Sequence, residues 1–124
     1  EHLSIPDGVE VYEINGPYFF GIATRFEETM NQLGDRPRIR IIRMRRVPFI
    51  DSSGLHNLES LCHMSHQNGI RIILSGVSEK VHETLSKSGF FSIVGSENVC
   101  ANINLALERS RKMLEELDGT GNAG

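Results

Sequence analysis

The sequence predicts an α/β sandwich with a mixed, mostly parallel sheet of about four or five strands and about four helices. Apolar, β-rich segments alternate with stretches of helical periodicity, which is typical of strands joined by right-handed helical crossovers. The run at residues 70–74 is nearly continuous in apolar character, as expected for a central strand covered on both faces. Each predicted helix meets a glycine where a left-handed residue is wanted. The 124 residues suit one domain.

The N-terminal part is predicted to form a β-hairpin followed by a helix. Residues 9–14 alternate in part between apolar side chains and glutamates, which indicates a first strand with one solvated face. Asn15-Gly16-Pro17 is a turn signal, and Tyr18-Phe19-Phe20 is predicted as the second strand of the hairpin. The helix that follows has four apolar residues at helical spacing, Ile22, Phe26, Met30 and Leu33, and Gly34 at its end.

The remaining elements follow in regular alternation. They are a strand over Arg38–Val47, a helix from Leu55 to Asn68-Gly69, a strand over Ile70–Leu74, a helix from Glu79 to Gly89 and a last helix whose apolar stripe runs from Val99 to Gly119. Between the last two helices, residues 90–94 supply either a final short strand or core contacts. Residues 1–118 are expected to form the domain. Residues 119–124 have no core-forming side chain and are expected to be a flexible tail.

Composition and charge narrow the classes of function. The formal net charge of −3 argues against nucleic acid as the main partner. No apolar run approaches the roughly 20 residues that cross a bilayer, and no signal peptide is visible. The chain begins with Glu1 instead of methionine, which is compatible with a piece cut from a longer protein.

A dense basic run is the local exception to the acidic balance. Six arginines occur between Arg36 and Arg46, interleaved with isoleucines and Met44. The pattern indicates a strand whose arginines flank or reach around an apolar face. A docking surface for acidic partners or lipid headgroups is the alternative. No aromatic residue interleaves with the arginines, so the stacking platform of single-strand binders is missing.

Cysteines and histidines give little sign of a metal or redox site. Cys62 and Cys100 fit neither a CxxC motif nor a disulfide framework, and reduced, buried thiols are expected. His63 and His66 are three residues apart on a predicted helix, but no further ligands stand at metal spacing. A solvated helix face is the better interpretation, and no metal or cofactor is predicted.

The turn between the basic strand and its helix carries the most chemistry. Asp51, Ser52, Ser53 and Gly54 lie beyond the carboxyl end of one predicted strand, and Ser75-Gly76 follows another. Free amides at a helix N-terminus favour anions and acceptor oxygens. The turn is therefore either an anion-responsive or phosphorylatable site, or an ordinary N-cap in which Asp51 or Ser52 accepts from the helix amides and Gly54 allows close packing.

Enzyme motifs are absent from the turn and from the rest of the sequence. The Gly-x-Ser-x-Gly elbow, the P-loop and GxGxxG are all missing. His56 lies four residues after Ser52, but a triad also needs an orienting acid and an oxyanion pocket, and the sequence shows neither. No catalytic residue is predicted.

Three short motifs together resemble a known family. Asp51-Ser52-Ser53-Gly54-Leu55, Ser75-Gly76-Val77 and Ser88-Gly89-Phe90, in this order of strands and helices, are similar to a STAS domain over about residues 8–115. STAS domains occur in bacterial anti-sigma-factor antagonists and in SulP-type anion transporters. Two further stretches, residues 9–21 and Arg43–Asp51, resemble the SulP branch.

This resemblance implies a regulatory and protein-interaction role without catalysis. The expected setting is the cytoplasmic C-terminal domain of an inner-membrane permease for sulfate, bicarbonate, chloride or dicarboxylates, commonly a homodimer. Expected partners are the membrane domain of the same transporter, a cytosolic regulatory protein and a weakly bound nucleotide or anion. The resemblance places the binding turn at Asp51, Ser52, Ser53, Gly54, Leu55, Ser75 and Gly76. The alternative is a free-standing anti-sigma-factor antagonist, in which the phosphorylated serine maps onto Ser52.

Overall fold

The computed structural model describes residues 3–15 and 37–123 of the chain. Three strands form one sheet: β1 over Val9–Asn15, β2 over Ile39–Arg46 and β3 over Arg71–Ser75. They lie side by side in that order, and both pairs are parallel. At the other edge of β3, Val99 adds an isolated parallel bridge to Leu74. The predicted parallel character of the sheet is confirmed for these strands.

The described residues also form four α-helices, the first between β2 and β3 and the others after β3. They are α1 over Ser52–Gln67, α2 over Glu79–Lys87, the short α3 over Phe91–Val94 and α4 over Ile103–Ala123, with a 3₁₀ turn at Ser96–Asn98. Gly69 and Gly89 follow α1 and α2 with φ of +76° and +79°, so both predicted glycine stops are confirmed. None of the helices in this part of the chain combines the length and apolar character that crossing a bilayer requires.

Two cores sandwich the sheet because alternate residues of a strand point to opposite faces. The α1-side core contains Ile42 and Met44 of β2, packed against α1 and α2. The α4-side core contains Ile39 and Ile41 of the same strand, packed against α4. Both faces of β2 are thus covered, so Arg40 and Arg43 are buried along with the apolar residues of the strand.

Two predicted elements lie outside the described residues. These are the second hairpin strand at Tyr18-Phe19-Phe20 and the helix that ends at Gly34. The described part accounts for three strands and one bridge of the about four or five strands predicted.

The segment around Phe90 and Phe91 is helical, so the alternative of a final short strand is wrong. Phe90 is fully buried in the α1-side core, and its N–H donates to the Leu85 carbonyl at 3.2 Å. That bond folds the chain back directly after α2. The Ser92 hydroxyl also donates to the Gly89 carbonyl at 2.7 Å, which supports the tight helical path of α3.

Both predicted ends of the last helix are wrong. Val99 belongs to the sheet edge, and α4 begins after Asn102, whose Oδ1 accepts from the Leu105 N–H at 2.9 Å. At the other end α4 continues to Ala123, because Gly119 keeps a negative φ instead of turning left-handed. The flexibility of residues 119–124 stays a prediction, as does the domain boundary at residue 118.

The prediction that the arginines of the basic run flank or reach around the apolar face is wrong for Arg40. Arg40 is fully buried on the α1 side of β2. Its Nε donates to Glu10 Oε2 at 3.0 Å, its Nη1 lies 3.4 Å from Ser65 Oγ, and its guanidinium lies 5.4 Å from the centre of the Tyr12 ring. When both faces of a strand are covered, a side chain in the middle of the strand cannot reach solvent. A charged residue at such a position therefore needs hydrogen-bond partners from the neighbouring strand and helix.

Candidate functional site

The two predicted motifs lie at the same end of the sheet, where the carboxyl ends of its parallel strands meet. The turn at residues 51–55 follows β2, and Ser75-Gly76 ends β3. Because β2 and β3 are parallel neighbours, both motifs lie beyond the carboxyl ends of their strands. In open α/β sheets this is the end where ligands and functional residues gather.

Asp51 is the N-cap of α1. Its backbone is extended, its Oδ1 accepts from the Gly54 N–H at 2.7 Å, and its carbonyl accepts from the Leu55 N–H at 2.9 Å. A cap of this kind contributes about 1 kcal/mol. Of the two candidate caps in the sequence, the structure therefore selects Asp51 and leaves Ser52 as the first helical residue.

The two serines are the accessible hydroxyls of the turn. Ser52 and Ser53 are both exposed, whereas Gly54 is buried and Leu55 is half-buried against the α1-side core. The turn is anchored by its last two residues and capped by its first, so the middle faces solvent.

Ser75 and Gly76 lie at the carboxyl end of β3, on the buried side of the turn. Ser75 is 1% exposed, and its Oγ has no hydrogen-bond partner within the described residues. Gly76 has φ of +68°, and a Cβ there would lie 2.9 Å from Arg45 Cβ and 3.0 Å from its backbone nitrogen. Ser75 is buried, so it is a lining residue and not a surface contact. Gly76 lets β3 end tightly against β2.

The strand register brings an acidic residue and three arginines together beside this turn. Glu13 of β1 pairs with Arg43 of β2. Its carboxylate lies 2.6 Å from Arg45 Nε, 3.3 Å from Arg46 Nε and 4.0 Å from Arg43 Nε. We call these four residues the Glu13 cluster. Glu13 and the three arginines are visible in the sequence, but only the parallel register between β1 and β2 places the glutamate beside the arginines.

The Glu13 cluster should make stability fall in acid. The hydrogen bond from Arg45 lowers the pKa of Glu13 below its usual 4.5, burial opposes this, and the charges of Arg45, Arg46 and Arg43 lower it further. A carboxyl whose pKa is lowered on folding stabilises the fold above its unfolded pKa, and this contribution is lost as pH falls through the folded pKa. Glu13→Gln should therefore flatten the loss of stability below about pH 4.5.

Two measurements check this prediction. Urea unfolding of the wild type and of Glu13→Gln between about pH 5 and about pH 3 should give a steeper fall for the wild type. Carbon-detected NMR titration of the Glu13 carboxyl should give a midpoint below 4.5. A midpoint at or above that value would contradict the cluster.

The remaining candidate groups lie apart from the turn. His63 and His66 lie near the far end of α1, on the solvent side. Partial burial of the His66 ring lowers its pKa, and the charges of His63 and Arg71 act in the same direction. Within residues 3–15 and 37–123 no three His, Cys, Asp or Glu side chains could together hold a metal ion. Cys62 and Cys100 are free thiols, the first buried and the second half-buried.

A cleft of about 750 Å³ was not predicted from the sequence. It lies between α2 and the sheet-edge segment 99–101, with Val77, Val99 and Cys100 among its lining residues. Burial raises the pKa of the Cys100 thiol, and Arg109 opposes this. The thiol is therefore poorly suited to act as a thiolate nucleophile.

Comparisons with known proteins agree with the fold and the motifs. A family model described as the STAS domain matches residues 2–106. The chain is similar to a sulfate transporter family protein from Wolinella succinogenes, at 39% identity, 91% coverage of this chain, 93% of that chain and a TM-score of 0.81. It is also similar to the SulP transporter STAS domain from Vibrio cholerae, at 34% identity, 91% and 88% coverage and a TM-score of 0.84.

Two more distant similarities extend the comparison. A Bacillus subtilis (strain 168) protein named as sulfate transporter YvdB is 25% identical over 91 residues, so the match spans 73% of this chain and 17% of that protein. A Thermotoga maritima protein described as an anti-sigma factor antagonist shares the fold, with 21% identity, 87% and 92% coverage and a TM-score of 0.66. The chain therefore belongs to the STAS domain family, in the branch found in SulP sulfate transporters.

Proposed function

We propose that this chain is the cytoplasmic, C-terminal STAS domain of a SulP-family anion transporter and that it regulates transport through protein contacts. The observation that carries the proposal is the 39% identity, along 91% of this chain, to a sulfate transporter family protein. Sulfate is named in that relative and in YvdB, so it is the first anion to test, before bicarbonate and dicarboxylates. The membrane domain of the same transporter is the principal partner, and the parent protein is a homodimer.

The turn at Asp51–Leu55 is the proposed contact and control point. Asp51 supplies the cap, so the Ser52 hydroxyl can be modified or bound without loss of the first turn of α1. A phosphate on Ser52 would add nearly two negative charges at a helix N-terminus, where the helix amides favour it and the Asp51 carboxylate repels it. The expected consequence is a changed surface for a partner rather than a changed fold. A small anion or the phosphates of a nucleotide would use the same amides, and Ser75-Gly76 would line the inner side.

Several features support a non-catalytic role. The carboxylate next to Ser52 accepts from the Gly54 N–H as a helix cap, and no described histidine is hydrogen-bonded to it as a triad would require. His56 is exposed one helical turn further along. A nucleophilic serine needs a base held in place by a third group, and the described turn has no such arrangement.

The proposal is tested on the whole transporter. The reading frame upstream of Glu1 should encode about ten or more hydrophobic spans. In cells or vesicles that contain the complete protein, Ser52→Asp should change the initial rate of sulfate uptake severalfold, while Ser52→Ala abolishes any phosphate mass shift. Ser53→Asp is the matched control, because it places the same charge one residue away on an exposed position. Uptake that is unchanged by Ser52→Asp would remove Ser52 as a control point.

The free-standing anti-sigma-factor antagonist remains the second candidate. It is favoured by the exposed Ser52 at the start of α1 and by the shared fold with the Thermotoga maritima protein. An initiator methionine within a few codons upstream, together with phosphorylation of Ser52 by a partner kinase, would establish this candidate. Hydrophobic spans in the same reading frame would exclude it.

A further inference from the structure

We propose that the loop after β2 carries a binding surface for anionic phospholipid headgroups, formed by Arg45, Arg46 and Phe49. We call these three residues the basic-aromatic patch. The patch stands beside the proposed regulatory turn but is distinct from it. Its ligand is the phosphate-bearing face of a bilayer, and neither Ser52 nor a nucleotide takes part.

The first observation is that all three side chains face solvent. The side chains of Arg45 and Arg46 are 44% and 61% exposed, and Phe49 is 42% exposed. Only three large hydrophobic residues in the described part of the chain are that exposed, and Phe49 is the one that adjoins a basic run. A single exposed apolar residue is ordinary by itself. Here the ring lies three residues after Arg46 and four after Arg45, whose partly exposed guanidiniums both pair with Glu13.

The second observation is that the loop holds Phe49 outward. Val47 and Ile50 are 2% and 7% exposed, and both belong to the α1-side core. The Val47 N–H also donates to the Met44 carbonyl at 3.0 Å, which turns the chain at the end of β2. Phe49 lies between two buried anchors. Its exposure is therefore built into the loop, and placing the ring in a lipid interface would need little reordering.

The third observation concerns charge. The chain as a whole carries −3, so it should be repelled by an anionic bilayer. The local charge at the Glu13 cluster is positive, because the cluster contains three arginines and one carboxylate. Guanidiniums bind phosphate oxygens in a bidentate manner, and basic residues beside an exposed aromatic ring are typical of surfaces that lie at a membrane interface. This pairing favours lipid over an acidic protein.

The inference draws on the proposed function only for location, because a domain joined to a membrane permease lies within reach of the cytoplasmic leaflet. Attraction to that leaflet falls off within a Debye length, so the patch would act only when it faces the bilayer closely. Binding would then fix the orientation of the domain beneath the transporter. Vesicle binding by the 124-residue chain tests the patch without testing the proposed function.

The test is flotation of the 124-residue chain with vesicles of phosphatidylcholine containing about a third phosphatidylglycerol, against pure phosphatidylcholine. Binding is expected to the anionic vesicles alone and to weaken between about 0.1 M and about 1 M salt. The double variant Arg45→Gln/Arg46→Gln should bind about 25-fold more weakly, at about fivefold for each arginine. Phe49→Ser, which leaves the charge unchanged, should lose about tenfold.

The matched control is Arg38→Gln/Arg71→Gln. It lowers the net charge by the same amount at two exposed positions on the opposite, amino edge of the sheet. This control should bind within about twofold of the wild type. Equal losses in the two double variants, or no binding to anionic vesicles, would overturn the proposal. Capture of polyglutamate by the same arginines without vesicle binding would also overturn it and assign the patch to an acidic protein.

Discussion

Replacing Arg40 with alanine is expected to lower the free energy of unfolding by about 4 kcal/mol. The guanidinium is fully buried, donates to Glu10 at 3.0 Å and lies over the Tyr12 ring. Truncation would leave the Glu10 carboxylate without this charge partner and would also open a cavity between β2 and Ser65 of α1. The two costs act in the same direction. Arg40 therefore joins β1, β2 and α1 through one side chain.

Urea unfolding of Arg40→Ala and two companion variants measures the effect. Arg38→Ala removes an arginine from the same segment, but that side chain is 46% exposed and paired with Asp118, so the loss should stay below about 1 kcal/mol. Replacing both members of the pair, as Glu10→Gln/Arg40→Met, should bring stability back to within about 1.5 kcal/mol of the wild type, because neither member of this described ion pair then keeps a charge without the other. Equal losses for Arg40→Ala and Arg38→Ala would contradict the buried network.

Gly76→Ala is expected to lower the free energy of unfolding by about 3 kcal/mol. One part of the cost is backbone strain, since a φ of +68° is unfavourable for a residue with a Cβ. The other part is steric, because the new Cβ would lie 2.9 to 3.1 Å from the Cβ, nitrogen and Cα of Arg45. Two of those three atoms are backbone, so β2 would have to move. The same shift would disturb the Glu13 cluster.

Gly69→Ala is the matched control for the second prediction. Gly69 has a similar φ of +76°, but a Cβ there would meet nothing within 4 Å. The free energy of unfolding of Gly69→Ala should therefore fall by about 1 kcal/mol, from backbone strain alone, in the same denaturant titration. The difference between the two variants isolates the contact between β3 and Arg45. Losses of equal size would show that the close approach at Gly76 has no energetic weight.

Secondary structure at the well-patterned segments could be predicted because it depends on local signals. Apolar periodicity and a terminal glycine predicted a helix from Leu55 to Asn68-Gly69, and the structure has α1 over Ser52–Gln67. The helix predicted from Glu79 to Gly89 is α2 over Glu79–Lys87. The errors arose where long-range contacts outweigh local pattern. Val99 continues an apolar stripe in sequence but pairs with Leu74 in the sheet, and Gly119 resembles a helix stop but remains helical.

The candidate site also has features that the sequence predicted and features that only long-range contacts determine. The motif residues and the STAS resemblance could be identified from the sequence, since they are short, contiguous patterns. The sequence left Asp51 and Ser52 as equal candidates for the cap, because both can accept from helix amides. The 2.7 Å bond from Gly54 selects Asp51 and so frees Ser52. Nothing in the sequence indicated that Glu13 would face three arginines about thirty residues away.

The sequence by itself determined the fold class, the parallel character of the sheet, the family and the position of the serine turn. Each of these depends on residues that are neighbours along the chain. Only the tertiary structure decided that Arg40 is buried, that Glu13 meets the arginines and that Gly76 must remain glycine. These features depend on strand register and on the distance between β2 and β3, which are set when the two cores pack on opposite faces of the sheet.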